Sequence, residues 1–382
     1  NVDSSFRVAR KRSLVSTLLH SSKALFERKL CMKIVRWSWI PLFVLMTLGF
    51  SSCGGGTEKG SAGLVKLQGA GASFPAPLYS KWFKSYSSSH ANVQIDYQSV
   101  GSGSGVKSVI DKTVDFGASD AAMTPEEIAK VDVGVQCLPM TAGSIVLAYN
   151  VEGVTELKLP RKAYAGIFLG KVKRWNDPLI AKANPGAKLP DEPINVVVRA
   201  DSSGTTYVFS KHLSTISEEF AKSPGTNKMP NWPVGTRSKG NEGVTASIKT
   251  TPNSIGYIEY GYARSQNVPM AILENKSGSY VSATTESGQA ALASAQLPDD
   301  LIVWASDPEA KDAYPIVTYT WLLCYKQYQD KKKFEILQDV LKYCLTEGQK
   351  ESEALGYLPL PPAVTDKVNA AVQSIKLAPN AG

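Results

Sequence analysis

The stretch INVVVRADSSGTTYVFSKHL, from Ile194 to Leu213, changes character in its middle. Its first residues are rich in β-branched side chains, as in a buried central strand. Small polar residues follow, and then Val208, Phe209 and Leu213 recur at the spacing of one apolar helix face. A strand joined to a helix by a short glycine-containing turn is the repeating unit of α/β proteins, so this stretch predicts that fold class.

The same construction occurs at two earlier places. GAGASFPAP, from Gly69 to Pro77, leads into a helix pattern that contains Leu78 and Trp82. GSGSGVKSVI, from Gly101 to Ile110, follows the alternating strand pattern VQIDYQSV at 93–100. Strand and helix patterns continue to alternate over about 320 residues, which is enough chain for two α/β lobes.

All three turns place backbone N–H groups and Ser or Thr hydroxyls at a helix N-terminus, where the helix dipole favours an anion. GSGSGVKS is not a nucleotide-binding P-loop, because Val106 stands where that pattern needs Gly before Lys107. GAGASF is not a dinucleotide fingerprint, because Phe74 replaces its third Gly. Each turn alone could be ordinary helix capping. Together, and with Arg199 beside the third, they predict donors that converge on a small oxyanion.

The N-terminal part has the layout of an exported protein. Residues 32–52 carry a short basic region and an apolar core that is short for a transmembrane helix, as in a signal peptide. Residues 1–31 are interpreted as an upstream extension of the reading frame. The end of the apolar segment resembles a bacterial lipobox, which makes Cys53 the expected lipidation site, although an ordinary signal peptide is the alternative. Residues 53–66 then form the lipidated Cys and a flexible tether.

Charge and cysteine content narrow the function classes. Residues 1–52 carry nine Lys/Arg and two Asp/Glu, so +7 of the chain's net +8 lies there and gives no support for nucleic-acid binding. Cys137, Cys324 and Cys344 lie beyond the leader; Cys324 and Cys344 could pair, or all three could be separate thiols. Neither the cysteines nor the two histidines beyond the leader have the spacing of a metal site or a Ser–His–Asp site, so we expect no metal, no cofactor and no catalytic residues.

The ordered series of motifs resembles one known family, the phosphate-binding proteins of bacterial ABC-type phosphate uptake systems. The likeness runs from about Leu67 to the C-terminus and rests on six segments. They are GAGASFPAPLYSKW (69–82), GSGSGVK (101–107), TVDFGASDA (113–121), FLGKVKRWND (168–177), VVRADSSGTTYVF (197–209) and NSIGYIEYGYA (253–263).

This resemblance implies a fold, a site and partners. The fold is that of a two-lobed periplasmic binding protein, type II-like, in which each lobe has a central sheet flanked by helices and the ligand lies in the cleft between lobes. Residues 67–142 with 317–382 are expected to form lobe 1, and 143–316 lobe 2. The phosphate contacts carried over by position are Ser73, Phe74 through its backbone N–H, Ser102, Asp120, Arg199, Ser203, Gly204 and Thr205, with Asp201 as the partner of Arg199 and Ser104 as a possible further contact.

Two departures from the family pattern fall at these turns. The family more commonly has GSSGG where this chain has GSGSG at 101–105, and often Gly where this chain has Ser202. The first departure leaves open whether Ser102 alone or also Ser104 reaches the ligand. Neither removes a donor that the site needs.

The function implied by the resemblance is capture of inorganic phosphate in the cell envelope and its delivery to a membrane permease driven by an ATPase. The protein is expected to be a monomer, to be held to the membrane by the lipid anchor only, and not to be an enzyme. The alternatives are a receptor for another oxyanion such as sulfate, and an exported phosphatase. Asp120 argues against sulfate, because a carboxylate tolerates an anion beside it when that anion carries a proton to donate.

Overall fold

The β-branched run at the start of the stretch 194–213 forms a buried strand, Asn195–Arg199. The residues after the turn form a helix, Gly204–Ile216. Both agree with the sequence-based prediction. The structure is a computed structural model that describes residues 63–305 and 307–379. The proposed leader, Cys53 and most of the tether lie outside these residues. All described residues belong to one unit, Gly60–Gly382.

The strands of the described residues, numbered along the chain, are β1 Val65–Gly71, β2 Val93–Ser99, β3 Phe116–Ser119, β4 Val135–Asn150, β5 Lys158–Leu159, β6 Asn195–Arg199, β7 Thr236–Ser238, β8 Ser254–Glu259, β9 Ile272–Glu274, β10 Tyr280–Val281, β11 Val317–Tyr325, β12 Gln327–Tyr328 and β13 Lys376–Leu377.

The helices are α1 Ala76–Ser89, α2 Ser102–Ile110, α3 Pro125–Ile128, α4 Arg161–Phe168, α5 Pro178–Ala181, α6 Gly204–Ile216, α7 Glu218–Lys222, α8 Gly240–Thr250, α9 Tyr260–Ser265, α10 Thr285–Ala293, α11 Lys331–Leu345 and α12 Pro362–Ser374. Two 3-10 turns lie at Gly348–Glu351 and Glu353–Leu355.

Eight strands form one sheet in the order β2-β1-β3-β11-β4-β8-β6-β7. On one side of β4, the strands β1, β2 and β3 are parallel to one another. On the other side, β8, β6 and β7 are parallel. Since each parallel connection needs a helical crossover, helices α1, α2, α6 and α8 begin near the ends of these strands.

Strand β4 is shared by both halves of the sheet. Its residues 135–144 pair antiparallel with β11, and its residues 145–150 pair antiparallel with β8. The apolar run SIVLAYN at 144–150 is therefore the second half of a longer strand that begins at Val135. This change of partner lies two residues beyond the expected boundary at 142/143, and the division into residues 67–142 with 317–382 and 143–316, which the resemblance implies, stays a prediction.

A register shift in the β4–β11 ladder lies close to the site described below. Thr320 of β11 pairs with Thr141, whereas the next residue, Trp321, pairs with Pro139, so Met140 is left as the extra residue of a bulge. Pro139 has no N–H to give to a ladder, which suits a bulge. Thr320 lies at this irregularity with its side chain fully buried.

The helices bury the apolar faces that their sequences predict. Helix α1 turns Leu78, Trp82 and Tyr86 into the core, and no ligand role is needed to explain them. Helix α3 begins with the capping box of Thr124 and Glu127. Within the described residues, no helix is long and apolar enough to cross a bilayer.

The three described cysteines are buried free thiols, so of the two arrangements open from the sequence, separate thiols are the one observed. Burial raises the pKa of Cys137 to about 11 and that of Cys324 to about 12.

Candidate functional site

The three glycine-serine turns predicted from the sequence meet in the structure. They follow β1, β2 and β6, and they lead into α1, α2 and α6. Asp120 follows β3, next to the turn after β1, because β1 and β3 are neighbours in the sheet. The described side chains of the predicted contacts are buried here, with exposed fractions between 0% and 2%: Ser73, Phe74, Ser102, Asp120, Arg199, Ser203 and Thr205.

Arg199, the last residue of β6, supplies the positive charge of the site. Its Nε donates to Asp201 Oδ1 at 2.9 Å and its Nη2 donates to Asp201 Oδ2 at 2.6 Å. Burial lowers the pKa of Arg199, but the hydrogen bond and charge of Asp201, together with Tyr257 and Asp120, raise it above its ordinary value on balance, so the guanidinium stays charged. Its third guanidinium nitrogen, Nη1, is buried and has no hydrogen-bond partner among the described residues. A buried guanidinium N–H without an acceptor is costly, and a bound anion would satisfy it.

Asp120 brings a carboxyl into the same buried region. Its Oδ1 accepts a hydrogen bond from Thr320 Oγ1 at 2.9 Å, and its Oδ2 accepts one from Thr205 Oγ1 at 3.2 Å. Burial raises the pKa of Asp120 to about 6, against the lowering effect of these hydroxyls and of Arg199. The carboxyl is therefore ionised above about pH 6, and each oxygen keeps lone-pair capacity for a further proton.

Serine hydroxyls and helix N-termini supply neutral donors. Ser102 Oγ accepts from the Asp120 N–H at 3.2 Å, and Ser203 Oγ accepts from the Thr206 N–H at 3.0 Å as the N-cap of α6. Neither hydroxyl donates to another group among the described residues, so both protons are available. The N–H groups of Gly204 and Thr205 lie in the first turn of α6, where a helix offers them no acceptor.

Close backbone approach explains two of the glycines. Gly101 has a φ of 94°, and a Cβ added there would lie 2.5 Å from Asp201 Oδ2. A Cβ added to Gly204 would lie 2.5 Å from Ser102 Oγ and 2.7 Å from Asp120 Cβ. Only glycine allows the turns before α2 and α6 to come this close together, and so places their donors around one point.

Two predicted residues differ from the others in their surroundings. Ser104 is exposed on α2, apart from the buried group. The ring of Phe74 packs in the core, in edge contact with Tyr357, which leaves its backbone N–H as the group that can face a ligand.

Sequence reasoning missed several buried groups that touch these residues. Asn241, near the start of α8, donates from Nδ2 to Ser73 Oγ at 2.9 Å and to Thr205 Oγ1 at 3.3 Å. Tyr262 Oη donates to the Ser73 carbonyl at 2.6 Å, and Tyr357 Oη to the Phe74 carbonyl at 2.7 Å. For Asn241 a signal existed: KGNEG at 239–243 is a fourth glycine-rich helix start. No comparable pattern marks Tyr357 or Thr320.

Glu259, at the end of β8, is a further buried acid that the sequence did not single out. Burial raises its pKa well above the ordinary value, which favours the protonated carboxyl. Its backbone N–H donates to Asn241 Oδ1 at 3.0 Å.

The structure brings together one fixed positive charge, several neutral donors and one carboxylate acceptor, which is the set of groups that suits a small anion carrying a proton. No group of three or more His, Cys, Asp or Glu among the described residues could hold a metal ion.

The chain is similar to several known proteins. A family model described as the PBP superfamily domain matches residues 56–347. The phosphate-binding protein PstS of Pasteurella multocida (strain Pm70) is 40% identical over 308 residues, which cover 80% of this chain and 89% of that protein. The PstS of Xylella fastidiosa (strain Temecula1 / ATCC 700964) is 37% identical over 310 residues, with 80% and 84% covered.

Among solved structures, a high-affinity periplasmic phosphate-binding protein (PfluDING) bound with phosphate superposes with a TM-score of 0.67 at 19% identity. The superposition covers 80% of this chain and 93% of that chain. This likeness confirms the predicted fold: α/β, with the two-lobed architecture of periplasmic binding proteins.

Proposed function

This chain belongs to the PBP superfamily and, within it, to the PstS family of phosphate-binding proteins, and we propose from that premise that it binds inorganic phosphate and delivers it to an ABC-type permease. The proposed contacts are Ser73, Phe74, Ser102, Asp120, Arg199, Ser203, Gly204 and Thr205.

The observation that carries the assignment is a buried carboxylate among donors. Asp120 lies in a site where Arg199, the serine hydroxyls and the first turn of α6 all offer hydrogens. A fully deprotonated anion would set an oxygen against the Asp120 carboxylate with no hydrogen between them. Phosphate near neutral pH retains at least one proton, so its P–OH group donates to Asp120 while its other oxygens accept from the donors.

A sulfate receptor is the main alternative that this observation disfavours. Sulfate has no proton at neutral pH, and an unpaired buried acceptor costs about 1–3 kcal/mol, or more when it is charged. The site should therefore prefer phosphate over sulfate by at least about tenfold.

An exported phosphatase is a second alternative. Hydrolysis of a phosphomonoester wants an activated nucleophile or a metal-bound water. Among the described histidines, His212 of α6 is the one nearest in sequence to Ser203. Burial lowers its pKa to about 4, and its Nε2 forms a hydrogen bond with Tyr164 Oη at 2.9 Å. Among the described residues it makes no hydrogen bond to the serines named above, so we propose a receptor and not an enzyme.

Transport supplies the rest of the proposal. Donors of residues 67–142 with 317–382 and donors of residues 143–316 would enclose one ligand, so that phosphate favours the closed arrangement of two hinged lobes. The protein would act outside the cytoplasm as a monomer, held at the membrane surface through a lipid on Cys53, and present phosphate to permease subunits.

A competition titration tests the function. Phosphate and sulfate are titrated calorimetrically into the mature protein at pH 8, and p-nitrophenyl phosphate is incubated with it in parallel. We expect phosphate to bind at least about tenfold tighter than sulfate and no release of phosphate from the ester. Equal binding of the two anions would contradict the phosphate assignment, and ester hydrolysis would contradict the receptor assignment.

A further inference from the structure

Asn241 joins the turn after β1 to the start of α6. Its side chain is fully buried in the first turn of α8. Its Nδ2 donates to both Ser73 Oγ, at 2.9 Å, and Thr205 Oγ1, at 3.3 Å. Its backbone N–H, which no helical carbonyl can accept, donates to the same Ser73 Oγ at 3.1 Å.

The orientation of the Asn241 amide is fixed by a group that can only donate. The Glu259 backbone N–H approaches the other end of the amide at 3.0 Å, and so that end must be the oxygen, Oδ1. The nitrogen end therefore faces the two hydroxyls, and the reversed amide would set two N–H groups against each other.

These contacts determine what the Ser73 hydroxyl can do. A hydroxyl has two acceptor lone pairs and one proton. Both lone pairs of Ser73 Oγ are taken by Asn241, through its backbone N–H and its Nδ2. Ser73 is left with one capability, which is to donate its proton. At Thr205 the same amide occupies a lone pair while the hydroxyl proton points to Asp120 Oδ2.

We propose that Asn241 is a positioning residue that sets the direction of the Ser73 and Thr205 hydroxyls and so restricts the site to ligands that accept at Ser73 and donate only at Asp120. This inference rests on the proposed function and adds a residue that does not itself touch the ligand. It makes Asp120 the acceptor for the ligand's proton, because Asn241 prevents Ser73 from accepting it.

The test compares two substitutions of different shape. Asn241→Ala removes the amide and should weaken phosphate binding by about 10- to 100-fold, since the Nδ2 hydrogen bonds that leave the Ser73 proton for the ligand and direct the Thr205 proton to Asp120 are lost. Asn241→Asp keeps the shape and the bond from Glu259, but its second oxygen takes the Ser73 proton and adds a negative charge. We expect Asn241→Asp to bind phosphate more weakly than Asn241→Ala, an order that a purely structural role of the side chain would reverse.

A coupling measurement isolates the hydroxyl. In a Ser73→Ala background, Asn241→Ala should cost clearly less affinity than it does in the wild type, because the group it orients is gone. Thr245→Ala is the matched control: Thr245 is also buried on α8 and donates only to the Asn241 carbonyl, at 2.7 Å. Thr245→Ala should keep the phosphate affinity within about twofold of the wild-type value, since it loses one local hydrogen bond and no ligand donor.

Calorimetry gives the affinities, and circular dichroism with thermal unfolding shows that each variant is folded. If the wild type binds no phosphate, the proposed function fails. If the wild type binds and Asn241→Asp binds as well as Asn241→Ala or better, or the loss is the same with and without Ser73, the orienting role of Asn241 is wrong while the function stands.

Discussion

Two arginine–aspartate pairs in the molecule look alike but use their nitrogens differently. Arg161 of α4 donates from Nη1 and Nη2 to the two oxygens of Asp307, at 2.5 Å and 2.7 Å. Arg199 of β6 donates from Nε and Nη2 to Asp201, and its Nη1 is left buried without a partner among the described residues. Both terminal nitrogens of Arg161 have an acceptor, and its side chain is 22% exposed. The side chain of Arg199 is only 1% exposed.

The difference separates a structural pair from a binding pair. Arg161 connects α4 to the segment before β11 and gains nothing from a further acceptor, because water reaches it. Arg199 is positioned by Asp201 through one edge of its guanidinium, while the other edge is kept dry and unpaired. Leaving a buried donor unpaired destabilises the protein alone, so this arrangement is explained by an anion that completes it.

The largest expected effect follows from removing the binding pair's cation. Arg199→Ala should weaken phosphate binding by about 2–4 kcal/mol, because the charged hydrogen bond to the ligand is lost and Asp201 loses its cation, keeping only the bond from the Gly240 N–H. Arg199→Lys keeps the charge without the planar guanidinium, so its phosphate affinity should lie between those of the wild type and Arg199→Ala. Calorimetric titration of phosphate measures both.

Arg161→Ala is the matched variant for this comparison. It should lower the free energy of unfolding by about 1–3 kcal/mol, since Asp307 loses its partner, and leave phosphate affinity unchanged. If Arg199→Ala binds phosphate as well as the wild type does, or Arg161→Ala loses the same affinity, the distinction between the two pairs is wrong.

A smaller effect, on selectivity, is expected at the carboxylate. Asp120→Asn replaces an acceptor by an amide that can donate to sulfate, so the ratio of phosphate to sulfate affinity should fall by about tenfold or more. The measurement belongs at pH 8, where a carboxyl of pKa about 6 is ionised in the wild type. Asp115→Asn removes a carboxylate that pairs with Lys333 instead, at 2.8 Å, and should not alter the ratio. An unchanged ratio in Asp120→Asn would refute the proton-donor argument.

The sequence was most informative where chemistry and local structure share one pattern. The strand–turn–helix stretches at 69, 101 and 199 predicted both the α/β class and the donors, because a helix N-terminus after a glycine turn is a structural element and an anion site at once. Sequence could not show that Arg199 Nη1 lacks a partner or that Thr320 reaches Asp120, since both depend on sheet neighbours distant in the chain. The full length of β4 is also hard to read from the sequence, because Pro139 and the bulge beside it interrupt the strand pattern.

Two departures from the family pattern, separate in the sequence, prove to be neighbours in the structure. The chain has Gly103 where GSSGG would place Ser, and Ser202 where relatives often have Gly. Gly103 N–H donates to the Ser202 carbonyl at 2.9 Å. A Cβ added to Gly103 would lie 2.1 Å from Ser202 Oγ and 2.5 Å from Ser202 Cβ. The glycine at 103 therefore leaves the space that the Ser202 side chain occupies, so that the two departures compensate, which neither turn alone could reveal.

The smallest expected effect tests this compensation. Gly103→Ser should weaken phosphate binding by about 1 kcal/mol, near the lower end for overpacking because Ser202 is only half-buried and can shift. The turns before α2 and α6 would be pushed apart, and with them Ser102 and Gly204. Ser202→Gly in the same chain removes both clashing atoms and should restore the affinity, although Ser202→Gly alone should change it little. Calorimetric titration of phosphate into the two single variants and the double variant completes a double-mutant cycle. If the losses of affinity are additive, the two departures are independent and the contact between these turns does not control the site.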